Sequence, residues 1–442
     1  MTAGLKHQVF AKLDALCGNA GRVALGYSGG GDSHALLHLT RAWAEQRGVI
    51  LHALIVDHAL RPESAAEAAR AVDAARAAGV TPRLLHWDGA RGGSAIQERA
   101  RAARHELLAR ACRALDCQHL LLGHTRDDQA ETVLMRLRSG AHWPGLAGMS
   151  GIDVSPSWPH GYGLRVVRPL LDVGRDELRC WLEAGGQNWV EDPSNQDQRF
   201  TRIRLRRALQ QASPDVSLRL AGLASILDQA RQLHRRQCRR AIDRHVRFTN
   251  WGGAELDSHA LSALEAGLRR SVLAVLAQAV SGGASAVGGG ALDSLESALT
   301  RRETGTGAGV LLAHEGEIGW IIRDPGAVLG RVDRTPRPDD QALCRETHVW
   351  DGRLLYPRGE SVEVLGGAYM GLEQRDALAE IPGFARASLP CFRRKGIVIS
   401  IPGLLGADAV QCRFLVADRV LSRLLPADPS CSPLRSGVMC DG

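Results

Sequence analysis

Ser28-Gly29-Gly30-Gly31-Asp32-Ser33 lies between the apolar run Val23-Ala24-Leu25-Gly26-Tyr27 and a helical pattern opening with His34-Ala35-Leu36-Leu37-His38-Leu39. The order is strand, glycine turn, helix N-terminus. Adjacent glycines allow φ > 0, and the backbone can fold its N–H groups into a concave anion nest. The following helix directs its positive dipole end at the same place, and Ser28 and Ser33 add hydroxyls. A polyphosphate is the natural guest. No lysine follows the glycines, so the loop is not of the Gly-Lys-Ser/Thr type. Nor does it have the dinucleotide spacing G-x-G-x-x-G.

The surrounding pattern places this loop in an α/β layer. Runs at 22–27, 50–56, 81–87, 119–123 and 164–168 read as strands, with helical patterns near 33–47, 63–78, 94–115 and 127–138. Such alternation predicts a parallel sheet with helices on both faces. Ligands of such sheets sit at the C-terminal strand ends. The glycine loop, Asp57 and His124 each fall just past a strand end, on three different strands. Asp57, in Ile55-Val56-Asp57-His58-Ala59-Leu60-Arg61, can receive a ribose hydroxyl, help hold Mg²⁺, or serve as a turn aspartate. Arg61-Pro62-Glu63-Ser64 is a plausible helix start without it.

Gly123-His124-Thr125-Arg126-Asp127-Asp128-Gln129-Ala130-Glu131-Thr132 follows the strand at 119–122 and starts a helix. Acids in a first helical turn are favoured by about 0.3–1 kcal/mol each. That accounts for one or two of them, not for a histidine and three acids at one strand end. Asp128 and Glu131 share a helix face. They can position Mg²⁺ or a substrate amine, with His124 contacting phosphate.

The chain has 442 residues, enough for roughly three domains at about 150 residues each. Three blocks are expected: a catalytic domain over 1–215, a mainly helical one over 216–330, and a small α+β or β-rich one over 341–442. A Pro/Arg/Asp linker, Asp333 to Asp340, precedes the third, and the last dozen residues read as a loose tail. The formal net charge is +7, and Lys6, Lys12 and Lys395 are the lysines, so arginine carries nearly all the positive charge. Arginine suits bidentate phosphate contacts and base stacking. Arg199, Arg202, Arg204, Arg206 and Arg207 form a cluster with no acid between Asp197 and Asp215. A charge run is usually a solvated face. Unopposed arginines after a Pro-Ser-Asn turn also suit a phosphate-rich partner. The ten cysteines form no C-x-x-C pair, which argues against a zinc ribbon, an iron–sulfur site or a persulfide relay. No apolar run approaches the roughly 20 residues that span a bilayer, and the N-terminus is not a signal peptide. A cytoplasmic protein is expected.

The glycine loop resembles the PP-loop of the ATP pyrophosphatase superfamily. Val56-Asp57-His58 with Leu60-Arg61, Ala100-Arg101 with Arg104, and the segment Gly123 to Thr132 resemble the tRNA(Ile)-lysidine synthase family. So do Arg168-Pro169-Leu170-Leu171 and Glu191-Asp192-Pro193-Ser194-Asn195 with Arg202, Arg204 and Arg206. The resemblance covers about residues 20–210. His105 stands where the family usually has tyrosine, and Ile203 where it has asparagine. The region Gly305 to Trp320 lacks the usual cysteine-and-arginine pattern of the family's second domain.

The resemblance implies a PP-loop nucleotide-binding domain followed by two smaller domains that grip tRNA. It implies ATP and Mg²⁺, a tRNA(Ile) with a CAU anticodon and free L-lysine, with no membrane; a homodimer is one option for assembly. Ser28, Gly29, Gly30, Gly31, Asp32 and Ser33 would hold the nucleotide, and Asp32 and Asp128 the metal. Asp57, Arg101, Arg104, His124, Asp128 and Glu131 would form the catalytic set. Within it Arg101 and Arg104 would neutralise the α-phosphate or orient the base. Arg202, Arg204 and Arg206 would contact tRNA. A PP-loop enzyme that thiolates a tRNA base is the alternative; it commonly needs paired cysteines. A synthetase of nucleotide metabolism would lack the 191–207 segment. A relative that only binds RNA would not require the loop and the acidic helix start.

Overall fold

The computed structural model describes residues 2–59, 63–87, 96–189, 201–211, 214–330, 340–344, 346–367, 375–406 and 410–424. Arg61, Glu191 to Asn195, Arg199, most of the 333–340 linker and the terminal tail lie outside these residues, as does the side chain of Arg202. The chain divides into two compact units, Met1–Leu233 and His234–Gly442.

The first unit begins with α1 (Thr2–Cys17) and β1 (Arg22–Gly26), then α2 (Gly31–Arg47) and β2 (Ile50–Asp57). It continues with α3 (Ser64–Ala77), β3 (Thr81–His86), α4 (Ile96–Ala114), β4 (His119–Leu122) and α5 (Arg126–Arg138). Next come α6 (Trp143–Leu146), β5 (Ile152–Val154), β6 (Arg165–Val167), α7 (Arg175–Ala184), α8 (Thr201–Gln211) and α9 (Pro214–His245), which runs into the second unit. The sheet order is β3-β2-β1-β4-β6-β5. All pairs are parallel except β5 with β6, an antiparallel edge strand the sequence pattern did not announce.

Side-chain alternation along the strands explains the layers. Val23, Leu25, Ala53, Ile55, Leu121 and Val167 point into a core with Leu36, Leu39, Trp43, Ala71 and Leu178 from the helices. Ala24, Leu54, Leu120, Leu122 and Val166 point the other way, against Leu108, Ala109 and Cys112 of α4. A strand buried on both faces needs apolar residues at every position, which is what these runs supply. Chain order reverses beside β1: β2 lies on one side and β4 on the other. The crevice at this switch point is where the loop after β1 meets the loop after β4.

The second unit is described by itself. Its strands are β7 (Val246–Phe248), β8 (Ala254–Asp257), β9 (Gly305–Gly307), β10 (Val310–Glu315) and β11 (Ile318–Arg323). They form an antiparallel sheet in the order β7-β8-β11-β10-β9. The helices α10 (Ser258–Ser262), α11 (Ala266–Ser281) and α12 (Gly289–Arg301) accompany it, and Leu273, Leu276, Leu295 and Leu299 pack with Leu312 and Ile321 in one core. The region 216–330 thus carries a sheet besides the expected helices. Several of its strands have only three or four residues, too few to display an alternating pattern.

After α13 (Pro325–Leu329) the chain is β-rich. One sheet joins β12 (Asp340–Ala342), β13 (Thr347–Trp350), β14 (Leu354–Pro357) and β18 (Arg413–Phe414). Another joins β15 (Val362–Val364), β16 (Pro390–Arg394) and β17 (Ile397–Ser400); α14 (Gly383–Arg386) and α15 (Val416–Leu424) complete the unit. Among the described residues no helix is long and apolar enough to cross a membrane.

Candidate active site

The glycine loop is knitted by Ser33. Its hydroxyl donates to Gly30 O at 2.8 Å and lies 3.1 Å from Ser28 Oγ. Only Gly29 of the three glycines takes the left-handed region, at φ +80°. Gly30 is extended (φ −72°, ψ 157°) and is the N-cap of α2 without a side-chain cap. The N–H groups that start α2 therefore face the loop without a capping side chain, as an anion site requires. Beneath it, Tyr27 Oη and His34 Nδ1 are 2.8 Å apart, and His34 Nε2 and His38 Nε2 are 3.2 Å apart. Burial, helped by His38, pulls the His34 pKa down to about 4, so its ring is neutral at pH 7.

Gly123 joins the two strand ends. A Cβ built there would stand 3.2 Å from Asp32 O and 3.3 Å from the Ser33 Cα. The absent side chain lets the end of β4 touch the start of α2. Thr125 then caps α5: Asp128 Oδ2 accepts from the Thr125 N–H at 2.9 Å and from its hydroxyl at 3.0 Å, a capping box. His124 is half-buried at the same strand end.

The carboxylates converge on a residue that the motif reading passed over. Arg175, the first residue of α7, donates through Nε to Asp32 Oδ2 at 3.0 Å and through Nη2 to Asp128 Oδ1 at 2.7 Å. Its Nη1 reaches Glu131 Oε1 at 3.4 Å, and its backbone N–H donates to Asp127 Oδ2 at 2.8 Å. Arg206 Nε donates to the same Glu131 Oε1 at 2.8 Å. Glu131 is 1% exposed. Burial opposes the charge on Arg175, but Asp128, Asp32 and Glu131 outweigh it and push its pKa up. Burial raises the Asp32 pKa; Arg175 works against that rise and Asp128 adds to it. One cue was legible: a cation at a helix N-terminus runs against the dipole and calls for anionic partners.

The α5 and α7 starts clasp each other. Arg126 donates its N–H to Val173 O at 2.9 Å and its Nη2 to Glu177 Oε1 at 2.8 Å. Gln129 fixes the next loop through both amide atoms, to Met149 O and from the Met149 N–H, each at 2.7 Å.

Asp57 is buried at the end of β2, where Oδ1 accepts from the Ala59 N–H at 2.9 Å and the Ser64 hydroxyl at 2.7 Å. Burial alone would raise its pKa; these two donors, together with His86 beside it, outweigh burial and hold it below the usual range. It thus ties the turn to the start of α3, although the Arg-Pro-Glu-Ser start had looked sufficient without it. Arg101 is exposed and Arg104 half-buried on α4. Burial, then Arg104, lowers the His58 pKa, which groups Arg104 with the residue after Asp57. His105 is lowered to about 4 by burial first, then by Arg101, Arg104 and Arg168. Arg204 is exposed, whereas Arg206 is engaged by Glu131 rather than displayed beside it.

Residues 5–213 match the family model described as a PP-loop domain. A tRNA(Ile)-lysidine synthase from Hyphomonas neptunium is 44% identical over 211 residues, covering 48% of this chain and 56% of that protein. One from Bradyrhizobium sp. is 37% identical over 274 residues, covering 59% of this chain and 75% of that protein. One from Methylobacterium nodulans is 39% identical over 294 residues, covering 64% of this chain and 82% of that protein. The chain belongs to the tRNA(Ile)-lysidine synthase family. It spans about half the length of the Hyphomonas relative.

Membership in the lysidine synthase family implies Mg²⁺, and the donor set tests that. Asp128 has both oxygens engaged by protein donors, and Glu131 Oε1 faces two guanidinium groups. Asp32 uses Oδ2 for Arg175, and no described residue donates to its Oδ1. No group of three or more His, Cys, Asp or Glu among the described residues is arranged to hold a metal ion. The residues fit an ion held by one carboxylate plus substrate phosphates, the usual Mg²⁺ arrangement, and not an all-protein cage.

Proposed function

We propose that this chain makes lysidine on a tRNA(Ile) with a CAU anticodon, using ATP and free L-lysine. The cytidine O2 at the wobble position attacks the α-phosphate of ATP, and diphosphate leaves. The ε-amine of lysine then attacks C2, gives up a proton, and displaces AMP. The observation that carries this reading is the junction at Gly123, which sets an uncapped phosphate loop directly against an acidic helix start. One half suits a departing polyphosphate, the other a cationic substrate.

In this reading the α2 N-terminus and Ser28 bind the phosphates, and Gly29 supplies the turn. Asp32 is the protein ligand of Mg²⁺, which when bound supplies positive charge on phosphate oxygens. Asp128 and Glu131 form the anionic wall that orients the lysine ammonium, held in place by Arg175 and Arg206. His124 faces phosphate, and Asp57 keeps the β2 end in register. Arg101 and Arg104 neutralise the α-phosphate or orient the base. Arg204, with Arg202, contacts tRNA phosphate, and the 216–330 and 341–442 regions grip the rest of the tRNA. The ten cysteines form no C-x-x-C pair, which favours ligation over thiolation, since a sulfur relay commonly uses paired cysteines.

The test is incubation with labelled lysine, ATP and transcripts of tRNA(Ile) carrying CAU or another anticodon. Label is expected only in the CAU transcript and only with ATP. A folded protein that releases diphosphate but leaves every RNA unlabelled would rule the reading out.

A further inference from the structure

Arg175 stands where the sequence had offered a metal. Three carboxylates from two helices, Asp32 on α2 with Asp128 and Glu131 on α5, meet in one largely buried place. Oxygen donors of this kind attract Mg²⁺ and Mn²⁺. The guanidinium lies among all three, with a different nitrogen toward each. Arg206 adds a second cation at Glu131, and Arg179 bears on Asp32 from the same helix as Arg175. A lysine at 175 would carry the charge but not the planar fork that reaches three acids at once.

We propose that Arg175 is a resident cation of the site. It is a positioning residue: it fixes Asp32 of the phosphate loop to Asp128 of the acidic helix. It also keeps the carboxylate set from taking up a divalent ion on its own, so that the metal arrives with the nucleotide phosphates. Only this last clause rests on the ATP reading above; the exclusion of a free divalent ion does not.

The test uses the full chain without nucleotide, tRNA or lysine, and Mn²⁺ as the probe. Free aquo-Mn²⁺ is followed by electron paramagnetic resonance. Wild type is expected to leave the free-ion signal undiminished. Arg175→Gln removes a cation at contact distance from the acids and should tighten Mn²⁺ binding on the order of a hundredfold. Adding Asp128→Asn to that variant should abolish the uptake. Arg175→Lys should exclude Mn²⁺ as wild type does, yet lower the kcat of diphosphate release with little change in KM for ATP. Uptake by wild type that Asp128→Asn removes would overturn the proposal, and this arm needs no Arg175 variant to fold. A folded Arg175→Gln protein that takes up no Mn²⁺ would overturn it equally. Neither result depends on whether RNA becomes labelled, so failure here is distinct from failure of the lysidine reading.

Discussion

Arg206 Nε lies 2.8 Å from Oε1 of Glu131, a carboxylate with only 1% of its surface exposed. The pair divides the arginine cluster on α8 into residues with different work. Arg204 is exposed on the same helix. Replacing Arg206 by Gln takes a cation away from a buried acid, and should cost roughly 1–3 kcal/mol. Arg204→Gln should lower the slope of log K against log salt for tRNA binding by somewhat under one unit. Parallel melting and filter-binding series in salt separate the two. Equal slopes for wild type and Arg204→Gln would remove Arg204 from the RNA surface.

Gly29 and Gly30 should fail differently. Gly29 sits at φ +80°, where a side chain is strained, so Gly29→Ala should lose about 1–2 kcal/mol of stability along with ATP use. Gly30 is extended, and its nearest neighbour to a new Cβ is Ser28 Oγ at 3.7 Å. Gly30→Val should therefore melt like wild type and still release no diphosphate, because its side chain fills the phosphate space. Full diphosphate release by a folded Gly30→Val protein would exclude the loop from nucleotide binding.

At Gly123 a methyl group would be a tight fit. It would press on backbone atoms of Asp32 and Ser33 that cannot rotate away. Gly123→Ala should raise KM for ATP severalfold and cost about 1–3 kcal/mol, as overpacking does. Isothermal titration with a non-hydrolysable ATP analogue measures the first effect. Unchanged affinity would mean that the α2 start tolerates displacement.

Acid should loosen the first unit before its carboxylates titrate. Burial holds His34, His105 and His119 at about 4, against about 6.5 in an unfolded chain. Above that ordinary value neither state binds the proton, and the full contribution is present. As pH falls below it, the unfolded chain takes up protons that the native rings refuse. Stability should drop from about pH 6.5 toward 4. Urea midpoints measured at stepped pH should show the fall, and His105→Gln should flatten it. A midpoint constant over that range would show these rings to be protonated in the native state.

The strand ends were legible because each one carries its chemistry within a few residues of an apolar run. Ser28 to Ser33 and Gly123 to Glu131 announce both a fold position and a ligand type. Arg175 was not legible in that way. Its partners lie 143, 47 and 44 residues away in sequence, and no local pattern links them. Asp57 was legible as a strand-end acid, but its bonds to Ala59 and Ser64 depend on how the chain turns after β2. Within 216–330 the sheet was less legible, because strands such as Gly305–Gly307 owe their place to neighbours, not to their own residues.

The crossed hold between the α5 and α7 starts bears on which parts of the chain can change length. Arg126 reaches Glu177 while the Arg175 N–H reaches Asp127, so each helix start reads the position of the other. A single-residue insertion within 123–127 or 172–176 would misalign both bonds together with the acids that Arg175 bridges. The exposed turn that ends α7, residues 183–186, takes no part in that alignment. Loop grafts should be accepted there and refused at the two helix starts. A library of insertions scored for growth would map the clasp as two short windows of zero tolerance, with tolerance returning at the end of α7.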